Sequence, residues 1–339
     1  MNALRELPAL RGRLADLGAR PEHARRILRS WAQALPREQG RPAIEHFLPL
    51  RLREALPALD AELDSVAALA SRHPAEDGSE RLLLRLRDGQ LVESVLLPRD
   101  GLCVSTQLGC AVGCLFCMTG QGGLLRQLGS TEIIAQVAQA RRLRAVKKVV
   151  FMGMGEPAHN LDAVLEAIDF LGAEGAIGHK NLVFSTVGDP RVFERLPRAT
   201  VKPALALSLH STDAERRAML LPRAPRYEPA ALFALAANYA EGSGYPLQVQ
   251  WTLLEGINDG DDEVDALASL LAGRYAILNF IPYNAVEGLP FRRPSWDRAA
   301  QMARTLTQRG VMTRLRRSAA QDVDGGCGQL RARYKTYRI

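Results

Sequence analysis

Apolar residues recur at intervals of three and four along the first part of the chain. Ala24, Ile27, Leu28, Trp31 and Leu35 form one such stripe, opened by Pro21 and Glu22, which suit a helix start. A second stretch carries Ile44, Phe47 and Leu48, and a third runs from Leu56 to Leu69. The pattern predicts a small helical unit over residues 1–75 with many exposed arginines. From Arg81 the period changes to two: Leu82, Leu84 and Leu86 alternate with Leu83, Arg85 and Arg87 before Asp88-Gly89 supplies a turn into Leu91–Leu97. The polar run from His73 through Pro74 to Ser79 marks the boundary. The chain is thus expected to divide into a helical accessory unit (1–75), a linking β-hairpin (76–100) and a catalytic unit (101–339).

Beyond residue 100, short β-rich runs alternate with helical stripes. Strands are predicted near Leu102–Gln107, Lys148–Met152, Leu182–Thr186, Ala204–Ser208, Leu247–Leu254 and Ala276–Ile281. The clearest intervening helices carry Leu161, Val164, Leu165, Ile168 and Leu171, then Val264, Leu267 and Leu271. These six βα units imply an α/β fold, a parallel sheet with helices outside that is either curled into a partial barrel or laid open. Chemistry is then expected at the carboxyl edge of the sheet.

The 339 residues, 47% hydrophobic and 24% charged, exclude a disordered or collagen-like chain. No run approaches the roughly 20 apolar residues needed to cross a bilayer, and Met1 to Arg13 carries charges without an apolar signal core. A cytoplasmic protein with no membrane partner is expected. The formal net charge of +7, mostly from arginine, favours polyanionic partners, although a generally arginine-rich composition gives the same figure.

Four of the five cysteines, Cys103, Cys110, Cys114 and Cys117, crowd into one short stretch, and Cys327 stands apart. That set is too tight and too odd for a secreted disulfide framework. Cys110, Cys114 and Cys117 form a CxxxCxxC run just after the first βα strand. Three thiolates on one loop can hold three irons of a [4Fe-4S] cluster and leave the fourth iron open to a small ligand. Zinc is the alternative, but it usually takes a fourth protein ligand, and no nearby His or second Cys pair supplies one.

Three stretches together carry a resemblance: Cys103-Val104-Ser105-Thr106-Gln107-Leu108-Gly109-Cys110, the loop ending Phe116-Cys117, and Gly326-Cys327-Gly328-Gln329-Leu330. They resemble the RlmN/Cfr family of radical-SAM RNA adenine methyltransferases, strongly from about Leu91 to Leu330 and weakly in the helical amino-terminal region. CxxxCxxC alone would indicate only radical S-adenosylmethionine (SAM) chemistry; Cys103 and the Cys-Gly-Gln-Leu ending narrow it. The resemblance implies a partial (βα)6 radical-SAM barrel and two cofactors, the cluster and SAM. It also implies SAM contacts from Gly155 and Glu156, Ser185, Ser208-Leu209-His210 and Asn284, all at predicted strand ends. Taken singly, each is as readily a turn or a core polar group.

The resemblance further implies that Cys327 takes a methyl group from one SAM and that a second SAM is cleaved to a 5'-deoxyadenosyl radical. That radical activates the S-methyl group for addition to carbon 2 or carbon 8 of adenine. Cys103 then releases the product by forming a disulfide with Cys327, which a reductant reopens. Glu93 aligns with the family's proton acceptor, while strand alternation alone would make it a solvent-facing residue.

The implied partners are structured RNA, ribosomal or transfer, and an electron donor such as flavodoxin or ferredoxin, with the protein a monomer. Arg126 and the basic tail of Arg314, Arg316, Arg317, Arg331, Arg333, Lys335 and Arg338, with Tyr334 and Tyr337 between, are candidates for holding RNA; a solvated basic end is the plainer reading. Gln127 departs from the family's Arg-Asn-Leu ending, and the Thr119-Gly120 pair is closer to the carbon-8 enzymes, so the chain fits neither branch cleanly and a divergent paralogue is one reading. Two competing functions are a radical-SAM enzyme with a non-RNA substrate and an RNA-binding protein with a structural metal.

Overall fold

A computed structural model describes residues 4–39 and 43–331. Arg333, Tyr334, Lys335, Tyr337 and Arg338, expected to hold RNA, lie outside the described residues. The chain opens with four helices, α1 (Leu7–Asp16), α2 (Pro21–Gln33), α3 (Ile44–Phe47) and α4 (Leu50–Asp64). The stripe read from the sequence is the buried face of α2, with Ala24, Ile27, Leu28 and Trp31 turned inward. The helical reading fails after α4: Ala67–Pro74 is strand β1, not the end of a helix. Its alanine-rich sequence has helical propensity, but pairing with β2 (Glu80–Leu86) overrides it, and β1 lies at the sheet edge with a bulge between Leu69 and Ser71.

The hairpin forms as expected, from β2 to β3 (Leu91–Leu97) through Asp88-Gly89. It is continuous with the main sheet, because β3 also pairs antiparallel with β4 (Gly101–Cys103). The predicted strand at Leu102–Gln107 divides into β4 and β5 (Gln107–Gly109); β5 leaves the main sheet to pair with β6 (Leu124–Gln127), beyond the short helix α5 (Met118–Gln121). Next come α6 (Ser130–Leu143), β7 (Lys148–Phe151), α7 (Leu161–Ala173), β8 (Leu182–Thr186), α8 (Pro190–Arg195), β9 (Ala204–Ser208), α9 (Ala214–Leu220) and α10 (Pro229–Ser243). The chain continues through β10 (Leu247–Leu253), α11 (Asp261–Leu271), β11 (Ala276–Pro282), α12 (Trp296–Gln308) and β12 (Thr313–Leu315).

The ten-stranded sheet runs β1-β2-β3-β4-β7-β8-β9-β10-β11-β12, and every neighbouring pair from β4 to β12 is parallel. The short β12 adds a seventh parallel strand to the six expected. The sheet is curled. Lys148 on β7 lies within electrostatic reach of Arg314 and Arg316 at β12, five strands away, which a flat sheet would place roughly 24 Å apart at about 4.8 Å per strand.

Strict alternation assigns the two faces. Val149, Phe151, Leu182, Phe184, Leu205, Leu207, Val249, Trp251, Leu278 and Phe280 face the helices and join the main core. Cys103, Val150, Val183, Ala204 and Ala206 meet on the inner face. The amino-terminal helices share the main core with the barrel. Leu7 N donates to Ser130 Oγ (2.8 Å), and the Glu6 carboxylate accepts from Ser130 N (3.0 Å) at the start of α6.

Candidate active site

The cavity at the carboxyl ends of the strands is where the cysteine loop and the strand termini meet. Cys110, Cys114 and Cys117 all line it, with Phe116, Gly155, Glu156, Ser185, Ser208, His210 and Cys327. The loop is packed among Val112, Met118, Leu221 and Tyr283. Gly120 closes it: a Cβ there would meet Gly113 Cα at 3.0 Å and Cys114 N at 3.1 Å. Burial pushes the Cys110 thiol up to about 12, with neighbouring Glu156 and Cys117 adding to the shift. Cys114 and Cys117 are also raised, chiefly by burial.

Three buried, mutually repelling thiols are poor acids alone and become thiolates when a cationic group repays the desolvation. The donor set therefore fits an iron–sulfur cluster. Among the described residues, no three His, Cys, Asp or Glu side chains sit close enough to hold a single metal ion. Arg217, which the sequence reading missed, is buried beside this loop. It donates to Val187 O (2.5 Å), and burial lowers it to about 10 against the opposing charges of Cys114 and Glu156.

Glu156 is buried, with its carboxylate accepting from Ala158 N and Val187 N, each at 3.2 Å. Burial raises it to about 7 despite these bonds and one from Thr186. Gly155 has φ +102°, and a Cβ there would lie 2.5 Å from Gln107 Cβ. The glycine is thus required by the chain packed behind it, whereas the sequence reading attributed it to ligand approach. Ser185 and Ser208 face the cavity from β8 and β9. Leu209 points into the main core, so only its backbone faces the rim.

His210 is buried at φ +63°, with its ring edge against Phe116 at 5.0 Å between centroids. Its Nδ1 accepts from Thr252 N (3.0 Å), which leaves Nε2–H as a donor in the neutral ring. Asn258, another residue missed in a turn-rich stretch, fixes this corner by donating to His210 O (2.7 Å) and Thr252 O (2.8 Å) and accepting from Leu254 N (2.8 Å). Burial lowers the His210 pKa to about 3, with Arg217 contributing. The unfolded chain therefore binds a proton that the native ring refuses between about pH 6.5 and 3, and stability falls as pH drops through that window. At pH 4.5 the loss is expected to be roughly 3 kcal/mol relative to pH 7. His210→Asn, which tolerates the left-handed backbone, should flatten this part of the pH dependence in urea unfolding; an unchanged acid slope would refute it.

The Cys327 segment is sewn to the cysteine loop. Met118 N donates to Gly328 O (2.7 Å), and Thr119 Oγ1 donates to Leu330 O (2.6 Å). Asn284, expected at the cofactor, has its amide nitrogen on Cys327 O and Ser318 Oγ, each at 2.9 Å, and its Oδ1 is buried without a partner. Cys327 is exposed at the cavity mouth. Its thiol is raised by partial burial, opposed by the Ser318 hydroxyl and the charge of Arg316, and it feels Cys117. Cys103, at the end of β4, is raised by burial and by the charge of Cys327, so these two cysteines, distant in sequence, lie within electrostatic reach of each other. All five cysteines are free, so the disulfide expected in the cycle is absent here.

Glu93 is not solvent-facing. It is 1% exposed, because β3 is covered on both sides; it pairs with Arg81 and accepts from Arg331 N (2.8 Å). It ties down the chain beyond Cys327 but is not among the residues lining the thiol cavity. Losing either partner of so buried a pair costs on the order of 3 kcal/mol. Arg126, expected to hold RNA, is committed to Glu132 and Asp88. Gln127 accepts from Gln107 Nε2 (2.8 Å) and donates to His159 O (2.9 Å), bracing the β5–β6 hairpin.

Known proteins match this chain in both sequence and structure. Residues 104–268 match the model of the radical SAM superfamily. A protein of Methylibium petroleiphilum named "Probable RNA methyltransferase" is 71% identical over 324 residues, covering 96% of this chain and 92% of that protein. One of the same name from Stutzerimonas stutzeri is 64% identical over 329 residues, covering 96% of each. The crystal structure of a radical SAM methyltransferase from Sphaerobacter thermophilus superposes with a TM-score of 0.82 at 34% identity, over 97% of this chain and 98% of that one. With three thiols on one loop at the carboxyl edge of a curled parallel sheet and relatives of this identity across nearly its whole length, the chain belongs to the radical-SAM family of RNA methyltransferases.

Proposed function

We propose that the protein methylates an sp2 carbon of adenine, carbon 2 or carbon 8, in structured ribosomal or transfer RNA, with Cys327 as the methyl carrier. One observation carries the reading: Cys327 stands at the mouth of the thiol cavity within electrostatic reach of both Cys103 and Cys117. These adenine carbons are too weakly nucleophilic for ordinary displacement on a sulfonium methyl, so the methyl must be activated after a thiolate has accepted it. Cys110, Cys114 and Cys117 would hold the [4Fe-4S] cluster, and Gly155, Glu156, Ser185, Ser208, Leu209, His210 and Asn284 form the rim assigned to SAM. The bound pair supplies the methyl group and, with an electron from a flavodoxin- or ferredoxin-type donor, the radical.

The chain's own residues do the rest. Arg316 and the Ser318 hydroxyl favour the Cys327 thiolate that takes the methyl. Cys103, within electrostatic reach of Cys327, is assigned to attack the Cys327 sulfur and release the product. Glu93 is assigned as acceptor of the base proton, reached by movement of the Arg331 segment it anchors. Residues 1–75 are assigned as an accessory RNA-binding unit, hairpin 76–100 as its link and 101–339 as the catalytic unit; exposed Arg20, Arg25, Arg29 and Arg51 support this. The protein is expected to act as a cytoplasmic monomer.

Methyl-deuterated SAM tests the reading. Reconstituted, reduced protein given unmodified ribosomal and transfer RNA transcripts should show label first on Cys327 and then in methyladenosine after nuclease digestion. Label in RNA without prior label on Cys327 would overturn the carrier role, and no label in RNA would overturn the substrate.

A further inference from the structure

A polar row crosses the inner face of the barrel at one level. Ser208 on β9 is in register with Gln250 on β10, Gln250 with Asn279 on β11, and Asn279 with Arg314 on β12. Around it the inner face is apolar and small, with Val150, Val183, Ala204 and Ala206. Gln250 and Asn279 are only 5% and 1% exposed. Gln250 Nε2 and Asn279 Oδ1 are both buried without a partner. Two buried amides in an apolar barrel cost stability unless something uses them. Gln250 lines the thiol cavity, and the row so offers one unused donor, Gln250 Nε2, and one unused acceptor, Asn279 Oδ1, on adjacent strands. At the other end of the row Arg314 is exposed on the edge strand, and with Arg316 it gathers positive charge against Lys148 across the open side of the barrel, which lowers the lysine's pKa after burial has already done so.

We propose that the Gln250–Arg314 end of this row is the slot for the target nucleotide, with Gln250 Nε2 donating to N1 of adenine, Asn279 Oδ1 accepting from its exocyclic amino group, and Arg314 holding a flanking phosphate. The inference rests on the RNA-adenine reading above. A donor beside an acceptor matches adenine, whose N1 accepts and whose amino group donates, and opposes guanine, whose N1 carries a proton and whose carbonyl accepts. The phosphate-binding end of the row lies at the barrel's open side, so a nucleotide turned out of its helix could enter without crossing the covered faces.

SAM also carries an adenine, and the two sources are separated by measuring both. The full chain, reconstituted with iron, would be compared with Gln250→Met and Arg314→Ala for SAM binding by equilibrium dialysis and for methyladenosine formed in unmodified ribosomal and transfer RNA transcripts. Gln250→Met is expected to bind SAM within twofold of wild type while RNA methylation falls at least fiftyfold. Arg314→Ala, a surface change that leaves the fold intact, is expected to raise the RNA concentration for half-maximal rate about tenfold at low salt and to reduce the salt slope by about one. Wild-type RNA methylation by Gln250→Met would overturn the assignment, as would loss of SAM binding in that variant, which would give Gln250 to the adenine of SAM. An unaltered RNA dependence in Arg314→Ala would remove the phosphate end of the slot. Absence of methyladenosine with the unaltered protein would instead overturn the RNA-adenine reading itself.

Discussion

Alanine in place of Cys114 is expected to abolish iron binding, whereas alanine at Cys103 or Cys327 should leave it intact. The distinction follows from where the five thiols stand. Cys110, Cys114 and Cys117 project from one loop into one cavity, are buried together, and raise one another's pKa. Arg217 lies beside them as a buried cation. Removing one of the three leaves a cluster with too few anchors. Cys103 and Cys327 come from β4 and from the carboxyl segment, and Cys103 lies within electrostatic reach of Cys327. Iron assay and visible absorbance after anaerobic reconstitution decide the matter. Full iron loss from Cys327→Ala, with retention in Cys114→Ala, would overturn the ligand assignment.

Cys103→Ala is expected to trap the enzyme on its RNA. The variant keeps the cluster loop, the rim and Cys327, so methyl transfer to Cys327 and addition to the base should proceed. Release should then stop, because Cys117, the other thiol within electrostatic reach of Cys327, would be held by the cluster. Protein isolated from cells should carry covalently attached RNA, removable by nuclease but not by thiol reductant, since the trapped bond is a thioether. Cys103→Ala combined with Cys327→Ala should carry none. If Cys103 served only to pack beside Val150 and Met152 on the inner face, the single variant would turn over normally and merely lose some stability, on the order of 1 kcal/mol for so small a truncation. Normal turnover without trapped RNA would therefore remove Cys103 from the chemistry and leave the iron-binding loop unaffected.

Local pattern determined a large share of this protein. Strands at Leu182–Thr186 and Ala204–Ser208 fall where short apolar runs between helical stripes put them, and α7 and α11 carry the expected apolar stripes. The cysteine loop was legible because its three thiols are close in sequence and such a spacing has few other uses. Readings failed where neighbours decide the outcome. Ala67–Pro74 has helical composition, yet becomes a strand because β2 offers it an edge. Glu93 reads as a surface residue from alternation, yet β4, Arg81 and the end of the chain enclose it. No local pattern shows that the Asn284 amide nitrogen holds Cys327 O.

The sequence by itself determined the elements, the order in which they alternate and the thiol loop, because each depends on residues within a turn or two of one another. Only the tertiary structure decided that Cys103 lies within electrostatic reach of Cys327, that Met118 and Thr119 hold the segment beyond it, and that Gln250 and Asn279 share a level with Arg314. Those relations arise from the curl and register of the sheet. Register is set by the packing of all its strands together and leaves no mark in any short stretch of chain.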